Sequence, residues 1–167
     1  MAITANHISI DLASKKHKLI RLLPEQIPAT WPFIVSYIED GLMESVDGED
    51  IALIYNNLLA GLLETWILVR KGEDENGLDA DLAAVLTIQI VEDQNTGSRN
   101  LLIYTVSAEK YISSSTWDEV GMSLAEYARA SNCKNIIAVS SNARIIEICK
   151  RSGANVDSRY IVMKVGA

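Results

Sequence analysis

The chain has 167 residues, 49% of them apolar, and carries a formal charge of −7. A chain of this length buries roughly 70% of its unfolded surface, so one domain with its own core is expected, without help from disulfides or a structural metal. The acidic balance and the scattered Lys and Arg exclude the basic stripe that a nucleic-acid binder sets against phosphates, and no apolar run approaches a membrane span.

Residues 1–16 hold few large apolar side chains and read as an N-terminal arm. They contain no apolar h-region of a secretory leader, so a cytoplasmic, non-secreted protein is expected. Residues 17–167 read as a single domain. The basic cluster Lys15, Lys16, His17, Lys18 and Arg21 at its start reads as a solvated charge run. Residues 17–23 are short and apolar enough for a strand. Pro24 and Pro28 then lead into a helix over 31–43, where Trp31, Ile34, Val35, Ile38 and Leu42 recur at helical spacing. Pro32 fits its first turn, and Gly41 weakens its last. A second helix is predicted over 47–63, with Asp47 as N-cap and Glu49 and Asp50 in the first turn. Its apolar stripe is Ile51, Ile54, Tyr55, Leu58 and Leu62.

A strand over 64–71 follows, then an acidic, exposed loop over 72–81. Strands over 83–91 and 100–106 are joined by the turn-rich EDQNTGSR and form a hairpin by composition. The next helix begins after Ser113, Ser114 and Ser115, with Thr116 and Glu119 at capping-box spacing. Trp117, Val120, Leu124, Tyr127, Ala128 and Ser131 fall on one of its faces. Residues 135–139 read as a short buried strand and 142–151 as a short helix, ended by Gly153 as a left-handed C-cap. Residues 160–165 close the sheet. The predicted fold class is α/β (α+β), with a mixed, mostly antiparallel central sheet flanked by about four helices.

Cys133 and Cys149 form no CxxC and have no histidine pair nearby, so free thiols in a reducing compartment are expected and no metal site. His7 and His17 have no evident triad partners, and no GxGxxG, P-loop, HExxH or GxSxG occurs. Glu92, Asp93 and Glu109 lie near strand ends as candidate bases, with nothing to single one out.

The order of elements, together with Val139-Ser-Ser-Asn142 before a helix and Gly153 beyond it, resembles the GNAT acetyltransferases. The resemblance implies a site for acetyl-CoA, whose pyrophosphate would rest on backbone amides at the start of the helix that follows the hairpin. Family members carry Q/R-x-x-G-x-G/A there, because small residues let the main chain close around phosphate. At those positions stand Ile112, Ser113, Ser114, Ser115, Thr116 and Trp117, and no glycine lies between Gly97 and Gly121. The serines read as N-cap residues and the Trp117 indole as part of the core face with Val120 and Leu124. Where many members place a general-acid Tyr, Cys149 stands, beside Ile145 and Ile148 on an apolar face. The aromatic expected after Gly153 is Ala154.

These departures imply a catalytically degenerate protein with no cofactor, serving as an interaction or structural component. Trp31-Pro32, Trp66-Ile67-Leu68-Val69 and Asn132-Cys133-Lys134-Asn135-Ile136 further resemble GNAT-like proteins encoded among virion genes of tailed phages. That likeness implies a virion location in head, tail or interior, with other structural proteins as partners and a homo-oligomer or larger assembly. The alternative is an active acetyl-CoA-dependent N-acetyltransferase with a divergent pyrophosphate loop. A third reading is a small-ligand or acyl-CoA sensor that keeps the cleft without the chemistry.

Overall fold

A computed structural model describes residues 8–12, 16–42, 50–70, 81–109, 111–140 and 142–157. The sheet has six strands in sequence order: β1 (Ile8–Asp11), β2 (His17–Leu22), β3 (Glu64–Arg70), β4 (Leu82–Glu92), β5 (Arg99–Ala108) and β6 (Asn135–Ala138). Neighbours run antiparallel from β1 to β5. The pair β5 and β6 is parallel, because the helix α3 (Ser114–Ala130) carries the chain back between them. The helices α1 (Ile27–Leu42) and α2 (Ile51–Leu59) link β2 to β3, and α4 (Ala143–Arg151) follows β6.

Alternation along the strands divides the core in two. On one face Leu19, Trp66, Leu68, Leu86, Ile88 and Leu101 pack with Val120, Leu124 and Ala128 of α3. On the other, Ile20, Ile67, Val69 and Val85 pack with Ile34 and Ile38 of α1 and Ile54 and Leu58 of α2. Each fully buried Leu or Ile stabilises the fold by about 1.5–3 kcal/mol. Trp31 and Tyr55 meet edge to face at 4.7 Å between ring centroids and join α1 to α2.

Several sequence expectations shift in the structure. β1 falls within the stretch read as an N-terminal arm, and Leu12 just beyond it is buried. The pattern Ile8-Ser9-Ile10-Asp11 supplies two apolar positions, too few to stand out as a strand. α1 starts earlier than its apolar stripe, at Ile27. Pro28 therefore takes the tolerated first-turn place and Pro32 falls inside the helix. Both prolines are exposed, so water can serve the carbonyl that Pro32 leaves without an amide. α2 is capped by Asp50, whose carboxylate accepts from the Ala52 N–H at 2.8 Å, while Asp47 lies outside the described residues. It ends at Leu59 rather than 63 because Gly61 adopts φ +68° and turns the chain into β3.

The capping residue of α3 is Ser113, not Thr116: the Ser113 side chain accepts from the Thr116 N–H, which sits one turn into the helix. β6 was expected to be buried, yet all four of its residues are exposed. Among the described residues it pairs on one side only, with β5. The expected loop over 72–80 and strand over 160–165 lie outside the described residues. Gly153 closes α4 with φ +81°, the left-handed conformation expected of it. Among the described residues no helix is long and apolar enough to cross a membrane.

Candidate functional site

β6 is shorter than β5, and the point at which it ends and leaves β5 to run on is the fork of the sheet. Their pairing runs from Asn100↔Asn135 to Ile103↔Ala138 and stops, while β5 continues to Ala108. At the same level the β4–β5 register shifts, from Thr87↔Thr105 to Ile88↔Ile103, so Tyr104 has no cross-strand partner. This is a β-bulge, and it turns Tyr104 and Thr105 toward the same side, facing α1 and α2. The bulge is stabilised from within. The Thr105 N–H donates to Thr87 Oγ1 at 3.1 Å, and the two hydroxyls lie 2.7 Å apart, fully buried. Above them passes Gly41, where a Cβ would come within 2.8 Å of Thr105 Cβ. The glycine that looked like a weak point of α1 is what lets the helix lie on the bulge.

Beyond the fork stands the start of α3, the position implied for a coenzyme's pyrophosphate. Ile112 is 3% exposed and belongs to the α3-side core. Trp117 is half-buried against the same cluster. Ser113, Ser115 and Thr116 serve one another: the Ser113 hydroxyl lies 3.0 Å from that of Ser115 and 2.9 Å from that of Thr116. The Thr116 amide is taken by Ser113 Oγ, and the Trp117 amide makes the first regular bond of the helix, to the Ser113 carbonyl. α4 reaches across this corner with two cations. Arg144 donates to the Ile112 carbonyl at 3.0 Å, and Arg151 to Ser114 Oγ at 3.2 Å. Sequence reasoning missed both arginines, which only the packing of α4 brings here.

Asn142 caps α4, accepting from the Arg144 N–H at 3.0 Å. Cys149, on the same helix, is half-buried, and burial pushes its thiol up, away from easy ionisation. The structure brings Ile112, Ser113, Ser114, Ser115, Thr116 and Trp117 together as one short segment at the fork, with the α4 arginines beside it.

On the opposite side of the sheet a pocket of about 100 Å³ opens beside Tyr104, lined also by Ile54, Asn57, Leu62, Leu63 and Gln89. Among the described residues no carboxylate or imidazole lines it. The candidate bases are engaged elsewhere: Glu109 pairs with Arg70, and Asp93 builds the β4–β5 turn. The Asn95 and Thr96 amides that Asp93 accepts hold its carboxyl below the usual range. Glu92 is exposed at the end of β4, and His7 lies outside the described residues.

A polar hub on the α3 face was also not foreseen. Glu64 accepts from Arg21 at 3.0 Å, from the Tyr127 hydroxyl at 2.7 Å and from the Trp66 indole at 3.3 Å. Arg21 also lies over the Tyr127 ring, 5.3 Å from its centroid. Burial, and then the Glu64 carboxylate, push the Tyr127 hydroxyl up to about 12. Arg21 is thus no part of a solvated basic run. The one available signal was its strand alternation with Leu19.

No family model and no curated protein matches the chain. Solved structures do. A predicted acetyltransferase with acetyl-CoA from Clostridium acetobutylicum superposes with a TM-score of 0.62 at 17% identity, over 89% of this chain and 96% of that one. An aminoglycoside acetyltransferase from an uncultured soil metagenomic sample, in complex with sisomicin, gives 0.63 at 10% identity, over 92% and 98%. A ribosomal-protein-alanine N-acetyltransferase from Brucella melitensis gives 0.58 at 13% identity, over 87% and 98%. With its forked, mostly antiparallel sheet and crossover helix, the chain has the GNAT acetyltransferase fold.

Proposed function

We propose that this chain uses the acetyltransferase frame for binding rather than for acyl transfer, acting through contacts with other proteins. The observation that carries this reading is the make-up of the α3 start. Ile112 is sunk in the core, Trp117 packs against the same cluster, and the hydroxyls of Ser113, Ser115 and Thr116 and the Thr116 amide bond within the segment itself. Phosphate oxygens need unhindered main-chain donors, and at Thr116 they would compete with the Ser113 cap. The lining of the Tyr104 pocket adds support, because among the described residues it offers no carboxylate or imidazole to take a proton from an amine. The sequence likeness to virion-encoded proteins supplies the class of partner: structural proteins of a tailed-phage particle, in an oligomer or larger assembly.

A second reading, acetyl-CoA-dependent N-acetylation, is favoured by the bulge at Tyr104, the fork beside it and the two arginines over the α3 start. Acetyl-CoA itself separates the two. At about millimolar concentration it is expected to leave the melting temperature unchanged, since a ligand at a hundred times its Kd would stabilise by roughly 2.7 kcal/mol. A rise of several degrees, with turnover of an amine, establishes the transferase. No rise, together with sedimentation as an oligomer or with particles, supports the binding protein.

A further inference from the structure

The pocket beside Tyr104 carries two side-chain amides that the protein itself leaves unused. Asn57 stands in the last turn of α2 and Gln89 on β4, and both line the recess with Tyr104 and Leu62. Alternation along β4 puts Gln89 on the face of Val85, toward α2. The Asn57 carbonyl accepts from the Leu62 and Leu63 amides, which fixes its main chain at the helix end. Among the described residues neither side-chain amide makes a hydrogen bond, although both residues are half-buried. Each offers two N–H donors and a carbonyl acceptor.

Charge and size narrow what could use them. Among the described residues no charged side chain lines the pocket, so an ammonium or a carboxylate would leave water there without a counter-ion. A hydroxyl satisfies one of the two amides at a time. The pocket is about 100 Å³, well below the roughly 300–1,000 Å³ that enclose a drug-sized molecule, so it suits a head group and not a whole ligand. Leu62, largely exposed beside it, offers apolar surface to whatever carries that head group.

We propose that this pocket is an anchor site for an uncharged primary carboxamide, the side chain of a glutamine or asparagine on a partner protein. The head group pairs with Asn57 and Gln89, and its aliphatic stem lies on Leu62. This rests on the reading of the chain as a binding protein and names the chemistry of the contact. A carboxamide both donates and accepts, so it meets two lining amides in kind and brings no charge out of water.

Proton–nitrogen NMR on the full chain displays side-chain NH2 pairs directly and tests this with propionamide, propionate and propylammonium, which share one shape. Propionamide is expected to shift the Asn57 and Gln89 pairs saturably, with a Kd of about 1–30 mM, and to bind at least about fivefold tighter than either ion. Asn57→Leu and Gln89→Leu are each expected to abolish the response of the pair that remains. The comparison of the probes on the wild-type chain holds whether or not either variant folds. A blocked tripeptide with glutamine at its centre is expected to bind at least as tightly as propionamide, and the same peptide with glutamate not to bind. Equal binding of the ions, shifts that do not saturate, or an unchanged response in both leucine variants overturns the proposal. Exclusion of the glutamine peptide while propionamide binds overturns the side-chain source in favour of a free amide. Acetyl-CoA turnover is a separate readout, so failure of the binding-protein reading and failure of the amide site are told apart.

Discussion

Gly41 shows how one missing side chain can shape a site. Its hydrogen stands where a methyl would press into Thr105, a residue held from behind by the Thr87 hydroxyl and by the bulged main chain. Neither neighbour has room to yield, because both threonines are buried. Gly41→Ala is therefore expected to destabilise the protein by about 1–3 kcal/mol, despite alanine's better helix propensity. Urea denaturation checks this, and a neutral or stabilising result would mean that α1 sits farther from β5 than described. From sequence alone Gly41 could be read only as a helix weakener. Its partner Thr105 lies across the fold, and no local pattern announces a bulge.

At the scale of elements, α3 concentrates what sequence can and cannot tell. Its apolar face was legible, because Val120, Leu124 and Ala128 repeat at helical spacing and all three are buried. Its first residue was not. Both Ser113 and Thr116 suit an N-cap, and the choice fell to Ser113 because Ile112 before it is drawn into the core. Ser113→Ala is expected to cost about 1 kcal/mol of stability by removing the acceptor for the Thr116 amide, whereas Thr116→Ala leaves that acceptor in place. Thermal unfolding of the two variants separates the cap from its neighbour. α2 teaches a related lesson: its stripe ran on to Leu62 in the sequence, and Gly61 stopped the helix first. Apolar periodicity marks faces well and ends badly, since ends depend on which residue can take a left-handed turn.

For the molecule as a whole, the order of strands and helices from β2 to α4 was legible, because each face of the sheet needs its own apolar stripe to cover it. The polar hub was not, since Glu64, Arg21 and Tyr127 are far apart in the chain and meet only when α3 lies on β2 and β3. That hub gives the fold an alkaline limit. The folded Tyr127 hydroxyl ionises at about 12, against 10.0 for the unfolded one. Its contribution is thus complete below pH 10 and is lost as the pH rises from 10 toward 12. Tyr37, which donates to the Leu82 carbonyl and is also raised by burial, acts in the same direction. Melting temperature is expected to fall over that interval, and Tyr127→Phe to flatten the fall while leaving the part due to Tyr37. An identical alkaline profile in the variant would show that the hub bears no weight.

The bulge at Tyr104 has one more consequence. A single surplus residue in β5 sets the ladder out of step at the level where β6 departs. The place of Tyr104 beside its pocket is therefore counted out in peptide units, and trimming the phenol would leave the bulge standing. Every side chain lining such an opening can change while the opening itself stays, because it is set by main-chain register rather than by side-chain size.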